Sequence, residues 1–183
     1  MHEDSDNELL ARYRNGDREA FGLLVVRYQR PVYNAALWIL RNAEDARDVA
    51  QIVFLRVVER LEDYDSRHKF FSWIYRIAVN ESLNLLRRGG REEELDDDAE
   101  LADSDSVNPE SQLNAAERSR HVHQALMSMS THDRTVLMLR HFSECSYDEI
   151  AEILDLDAKT VKSRLFEARH RLGGKLKHLG PTT

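Results

Sequence analysis

The stretch FFSWIYRIAVN, Phe70 to Asn80, places four aromatics in six positions and follows them with an arginine and an asparagine. The segment before it, DYDSRHK, adds Arg67, His68 and Lys69. At helical spacing Phe70, Trp73, Ile74 and Ile77 can turn inward, while Arg76, Asn80, Asn84, Arg87 and Arg88 make a polar, basic side. Rings beside cations suit single-stranded nucleic acid, where bases stack and phosphates pair. An asparagine can make two hydrogen bonds to one base edge. The plainer reading is that these aromatics fill a small core, and it holds for Trp73 and at least one of the phenylalanines.

A second cationic stretch lies near the other end. From Lys159 to Lys177 there are seven bases against one acid, Glu167. It follows SYDEIAEILDLD, in which Ser146 and Glu149 have capping-box spacing and Asp157 can cap a further helix. Asp155 tolerates the left-handed backbone that a three-residue turn needs. Ile150, Leu154, Leu156, Val161 and Leu165 are spaced to pack one helix across the other over the small Ala151. This is a helix-turn-helix pattern, and a basic second helix suits the phosphates and base edges of a major groove. A solvated basic face is the bland alternative; caps, turn and charge together favour DNA.

A third set looks like a protein contact. In AEDARDVAQIVFLRVVERLE the core stripe is Ala46, Val49, Ala50, Val53, Val57 and Leu61. Ile52 and Leu55 project to the other side among Asp45, Asp48 and Glu59. Apolar residues framed by acids on an exposed face mark a binding surface, although scattered exposed apolars are common.

The elements that must hold these sets are helical. Apolar residues recur at three and four, and helices are expected over about 6–14, 18–38, 43–62, 70–88, 111–128, 131–142, 147–154 and 158–176. Asn42 and Ser130 are further caps, and Asn15-Gly16 and the RRGGR run stop helices. The net charge of -7 is unevenly placed: Glu92 to Glu117 holds eleven acids and no Lys or Arg, leaving 22 acids against 26 bases elsewhere. Such a run has little to bury and repels itself. The fold class is therefore all-α: two small helical domains, 1–90 and 113–183, joined by a flexible acidic linker at 91–112. The longest stretch without a charged residue, His121 to His132, is twelve residues, against the roughly 20 that span a bilayer. No membrane insertion is expected, and the single Cys145 suits a cytoplasmic protein. No phosphate-binding glycine loop occurs among seven glycines, no nucleophile stands beside a base, and His121 and His123 do not share a helix face. No enzyme, metal or cofactor is expected.

Taken together, EAFGLLVVRYQ, NAEDARDVAQIVFLRV and FFSWIYRIAVN resemble region 2 of extracytoplasmic-function (ECF, group IV) sigma factors of the sigma-70 family. SYDEIAEIL…TVKSRLFEARHRL resembles region 4. LLVVRYQ, Asn80 and Asn84 look most like the sigma-E, envelope-stress group. The resemblance implies a transcription initiation factor whose partners are core RNA polymerase, through clamp and flap, and promoter DNA. Polymerase binding would fall to Asp45, Asp48, Gln51, Ile52, Leu55 and Glu59. Recognition and opening of the -10 element, with capture of a flipped base, would fall to Tyr64, Arg67, His68, Lys69, Phe70, Phe71, Arg76, Asn80, Asn84, Arg87 and Arg88. The -35 element would be read by Lys159, Thr160, Lys162, Ser163, Arg164, Glu167 and Arg169. An anti-sigma factor, free or anchored at the inner membrane, would hold the protein inactive. The chain departs from the family pattern at Ile52, usually Glu, at Asp155 and Lys159, often Gly, and at Asn84, often Asp. The competing reading is a helix-turn-helix regulator that binds DNA without polymerase; it leaves Ile52, Leu55 and the aromatic-basic site unexplained.

Overall fold

The computed structural model describes residues 4–90 and 119–178, which are helices and turns without a strand. The linker expected over 91–112, and the beginning of the helix expected over 111–128, lie outside the described residues.

The first half is a four-helix bundle. Helix α1 (Asp6–Arg14) starts at a capping box of Ser5 and Glu8 that the sequence reading passed over. Gly16, at φ 96°, makes the turn into α2 (Arg18–Leu40), whose first amides bond to Asp17. Helix α3 (Ala43–Glu59) is capped by Asn42. It ends three residues before the expected 62, because Leu61–Asp63 tighten into a 3-10 turn. That turn buries Leu61, whose carbonyl accepts from Arg14 at 2.9 Å. Helix α4 (Phe70–Gly89) stops at Gly90, whose φ of 64° is left-handed and costs a glycine little. Leu9, Leu10, Leu24, Val32, Ile39, Val53 and Ile74 are buried in the core between them.

The second half packs α5 (119–127), α6 (Thr131–His141), α7 (Tyr147–Leu154) and α8 (Ala158–His178). Ser130 caps α6, and Ser146 with Glu149 forms a complete capping box on α7. Asp155 closes α7 at φ 55°, the left-handed turn expected of it, and the Leu156 amide returns to Ala151 O at 2.9 Å. Asp157 then accepts from the Thr160 amide and hydroxyl at 2.8 and 2.6 Å. Val161, Leu165 and Ala168 bury one side of α8 in a core shared with Ile150, Ile153, Leu137 and Leu139.

The two halves are in contact. Arg134 of α6 is 3% exposed and donates to the Trp38 and Ile39 carbonyls, at 2.6 and 3.0 Å, near the C-terminal end of α2. It also donates to Met129 O within its own half. A guanidinium there meets the negative end of the helix dipole and carbonyls that lack helical partners. Burial pulls its pKa down to about 10, still far above neutrality, so it docks as a cation. Beside it the Trp38 ring lies 4.5 Å from Phe142. Helix α4 is accordingly buried over an unusually wide arc, from Phe70, Ile74 and Ala78 to Ser72, Tyr75 and Val79. It packs on α2 and α3 to one side and on α7 to another.

Candidate nucleic-acid interface

Helix α8 presents the clearest surface. Its buried side is Val161, Leu165 and Ala168; half a turn away Lys159, Lys162, Ser163 and Arg164 are exposed and Thr160 half-buried. Lys159, Lys162 and Arg164 make no ion pair among the described residues, so their charge is available to phosphates. Ser163 donates to Lys159 O at 3.2 Å. Further along the charges are committed to structure. Arg171 grips Asp133 of α6 through two 2.7 Å hydrogen bonds and reaches Glu167 at 3.5 Å, and Arg169 meets His141 at 3.3 Å. Glu167 and Arg169 are thus exposed but already partnered. Phe166, 72% exposed beside these cations, is an apolar contact that the sequence reading missed.

The aromatic-basic set splits in two. Tyr64 and Phe70, expected at the DNA, are 5% and 2% exposed. They form an aromatic cluster with Tyr28 and Trp73, at ring separations of 5.2–5.8 Å. The Tyr64 hydroxyl donates to His68 O at 2.8 Å and so ties the loop back to the bundle. Neither ring can stack a base in this arrangement, and both are corrected to the core. Phe71 is half-buried, 4.3 Å from Tyr75, and lines a cavity of about 540 Å³ between the halves with Trp38, Met138 and Phe142. Arg67, His68 and Lys69 are exposed on the loop, as are Asn80, Arg87 and Arg88 on α4, while Arg76 and Asn84 are half-buried.

Most of the polar side chains of the loop are engaged. Arg67 chelates Asp65 within the loop, a contact that holds the Asp65 carboxyl down at about 2. The others pair across the halves with α7: Lys69 with Glu149 at 2.7 Å, His68 Nδ1 with Glu152 at 2.7 Å and Arg76 with Asp155 at 3.3 Å. The hydrogen bond to Glu149 raises the Lys69 pKa, and its reciprocal lowers that of Glu149.

On α3, Leu55 is 63% and Ile52 38% exposed, with Asp48, Gln51 and Glu59 exposed around them and Asp45 half-buried. Glu59 pairs with Arg56 at 2.9 Å. Val58 extends this patch, and Leu23 and Val26 give α2 an apolar exposed side of its own. All three went unread, although Val58 stands one turn beyond Leu55 and Leu23 and Val26 are three apart.

No helix among the described residues is long and apolar enough to cross a membrane, and none of their His, Cys, Asp and Glu side chains cluster as metal ligands. Cys145 is buried, which pushes its thiol up to about 12.

Comparison with known proteins covers both halves. The Sigma-70 region 2 family pattern matches residues 24–92, and Sigma-70, region 4 matches 119–172. The chain is 33% identical to the RNA polymerase sigma-H factor of Pseudomonas aeruginosa, over 98% of this chain and 97% of that one. It is 34% identical to the ECF RNA polymerase sigma-E factor of Escherichia coli K12, with 96% of each covered. Among solved structures, CnrH in complex with the cytosolic domain of CnrY superposes with a TM-score of 0.70 at 27% identity, covering 96% of this chain and 99% of that one. The sigma factor RpoE of Bartonella quintana, in complex with the anti-sigma factor NepR, shares the fold at a TM-score of 0.65 and 23% identity, over 86% of this chain and 96% of that one.

Proposed function

The chain belongs to the extracytoplasmic-function branch of the sigma-70 family, and from that premise we propose how its surfaces divide the work of starting transcription. It is a sigma factor that directs core RNA polymerase to particular promoters. Its partners are the polymerase, promoter DNA and an anti-sigma factor. The finer assignment treats 1–90 as the part that binds polymerase and opens the -10 element, 113–183 as the reader of the -35 element, and 91–112 as the connection. The chemistry of RNA synthesis stays with the polymerase, in the cytoplasm, and the chain needs no metal or cofactor.

The observation that carries the -35 assignment is the unpaired cationic start of α8. Lys159, Lys162 and Arg164 stand exposed on the second helix of a capped helix-turn-helix, with no ion-pair partner among the described residues. The -10 assignment rests on the side of α4 that carries Lys69, Arg76, Asn80 and Arg88, with Phe71 as the ring that supports an unstacked base. A few kcal/mol are needed to flip a base, and a stacked ring with phosphate contacts offsets part of that. Polymerase binding is placed on Ile52, Leu55 and Val58 with the acids Asp48 and Glu59 around them, and Leu23 and Val26 offer a second strip. Glu is absent at position 52, so the contact there is apolar.

Run-off transcription with purified core polymerase on genomic fragments tests the assignment. Defined transcripts that need both polymerase and this chain support it. DNA binding with no effect on polymerase would return the chain to the simple regulator. Held by an anti-sigma factor, the protein should also copurify with an inhibitor from unstressed cells, and release of that inhibitor should switch transcription on.

A further inference from the structure

Helix α1 carries none of the groups assigned to DNA or polymerase, and it lies ahead of residues 24–92, where the region 2 pattern matches. It nevertheless grips both ends of the connection from α3 to α4. At its last residue Arg14 donates to Leu61 O at 2.9 Å. In its first turn the Asn7 side-chain amide lies 3.1 Å from the Tyr64 hydroxyl, which in turn lies 2.8 Å from His68 O. Asn7 and Arg14 are about two helical turns apart, so they share one side of α1.

The second contact has a direction. A phenol has one proton and a backbone carbonyl none, so Tyr64 donates to His68 O and accepts from Asn7 Nδ2, the amide orientation that satisfies both bonds. Tyr64 is buried and its ring packs on Phe70 and Trp73, so its hydroxyl is a fixed post rather than a mobile tip.

The His68 carbonyl is where the loop meets α4. The loop shapes itself: the His68 amide donates to Asp65 O at 3.0 Å, and the Asp65 carboxylate accepts from the Arg67 amide at 3.0 Å and from its guanidinium. Those bonds fix a turn but not its place on the bundle. At the start of α4, Lys69 stands where helices usually carry a capping Ser, Thr, Asp or Asn, and no side chain caps it. The angle at which the chain enters Phe70 and Phe71 is left to the relay through Tyr64. We propose that α1 is the splint of the -10 loop, and that Asn7 is a positioning residue for promoter opening, acting through Tyr64 on the His68 carbonyl. The inference rests on the assignment of this loop and the start of α4 to the -10 element. In the closed packing of the two halves His68 also meets Glu152 through Nδ1, but a partly exposed pair holds little, whereas the relay lies within one half.

Asn7→Asp is the diagnostic change. A carboxylate only accepts, and more strongly than a carbonyl, so Tyr64 would turn its proton to position 7 and leave His68 O without a donor. An acid in the first turn of a helix favours the helix, so folding and function are expected to part. Tyr64→Phe removes the relay outright. Open-complex formation is measured with core polymerase and the full chain, at increasing holoenzyme, on a duplex fragment that supports run-off transcription, with a melting curve for each variant. Both variants are expected to lower the opening rate at saturation about tenfold, as when a group is held less well in place. The half-saturating concentration should stay unchanged, because α3 and α8 are untouched, and Asn7→Asp should lose no melting temperature. Partial unfolding would act the other way, lowering the active concentration and so shifting half-saturation while sparing the rate at saturation. That pattern with Asn7→Asp overturns the proposal, and so does a normal rate at saturation with either variant. Lys69→Gln/Arg76→Gln separates the causes. If it slows opening where Asn7→Asp does not, the -10 assignment stands and only the relay has failed; if it too has no effect, the assignment itself has failed.

Discussion

Single residues carry the distinction between exposing a base and reading it. Phe71 is half-buried against Tyr75 at the mouth of the cavity between the halves, whereas Asn80 is exposed one helical stretch further on. Phe71→Ala is expected to lose open-complex formation on duplex promoters and to recover part of it on a template already mismatched at -10, where no unpairing is needed. Asn80→Ala should be impaired on both, because recognition is still required there. Equal losses for Phe71→Ala on the two templates would remove it from melting. Arg134 supplies a different residue-scale test. Replacing it with Met leaves the Trp38 and Ile39 carbonyls buried or forces the halves apart, and buried unpaired groups cost about 1–3 kcal/mol each. A drop of about 2 kcal/mol in urea unfolding is expected; an unchanged midpoint would mean that the docking is not holding the halves. Tyr64 and Phe70 show why residue identity alone misleads. A ring next to a cation is equally suited to base stacking and to a cluster such as Tyr28–Phe70–Trp73, and only the packing of α4 on α2 decides between them.

At the scale of elements, caps and turns were legible because their chemistry is local. Ser146 with Glu149, Asn42, Ser130, Asp157 and the left-handed Asp155 all act within a few residues of themselves. The early end of α3 was not legible, since it depends on burying Leu61 and on Arg14, 47 residues away. The same reason hid Arg134, whose partners are backbone carbonyls about 95 residues distant that no side-chain pattern announces. Two helices carry predictions. Asp48→Arg/Leu55→Arg on α3 should weaken binding to core polymerase while circular dichroism stays helical. Leu55 should carry the larger equilibrium effect, because a rim charge mostly alters the association rate. On α8, Lys162→Ala should reduce the slope of log affinity against log salt by about one unit if it meets a phosphate. Arg164→Ala should relax preference at a single base pair by roughly 1–3 kcal/mol if it meets a base edge. Helix α7 adds a pH dependence. The pKa of Glu149 is lowered from the ordinary 4.5 by Lys69, so its contribution is complete above that value and lost as pH falls through the lower folded one. Asp65, held at about 2 against an ordinary 3.8, behaves likewise further down. Closed packing, followed by scattering, should therefore persist at pH 5 and weaken as pH drops below 4.

As a whole, the molecule combines two helical cores with surfaces that need other molecules. The charge distribution made the two halves and their acidic connection readable, because like charges at that density cannot pack. What it could not show is that the halves would meet, since the ion pairs between them join residues about 80 positions apart and each half satisfies its own core pattern. The central claim is that this chain makes polymerase promoter-specific, rather than binding DNA by itself. The most direct measurement is transcription from matched genomic fragments by core polymerase alone, by polymerase with the chain, and by polymerase with Asp48→Arg/Leu55→Arg. Discrete start sites are predicted with the unaltered chain, none with core alone, and loss with the α3 variant although its α8 still binds duplex DNA. Transcripts unchanged by adding the chain, with duplex binding intact, would contradict the account.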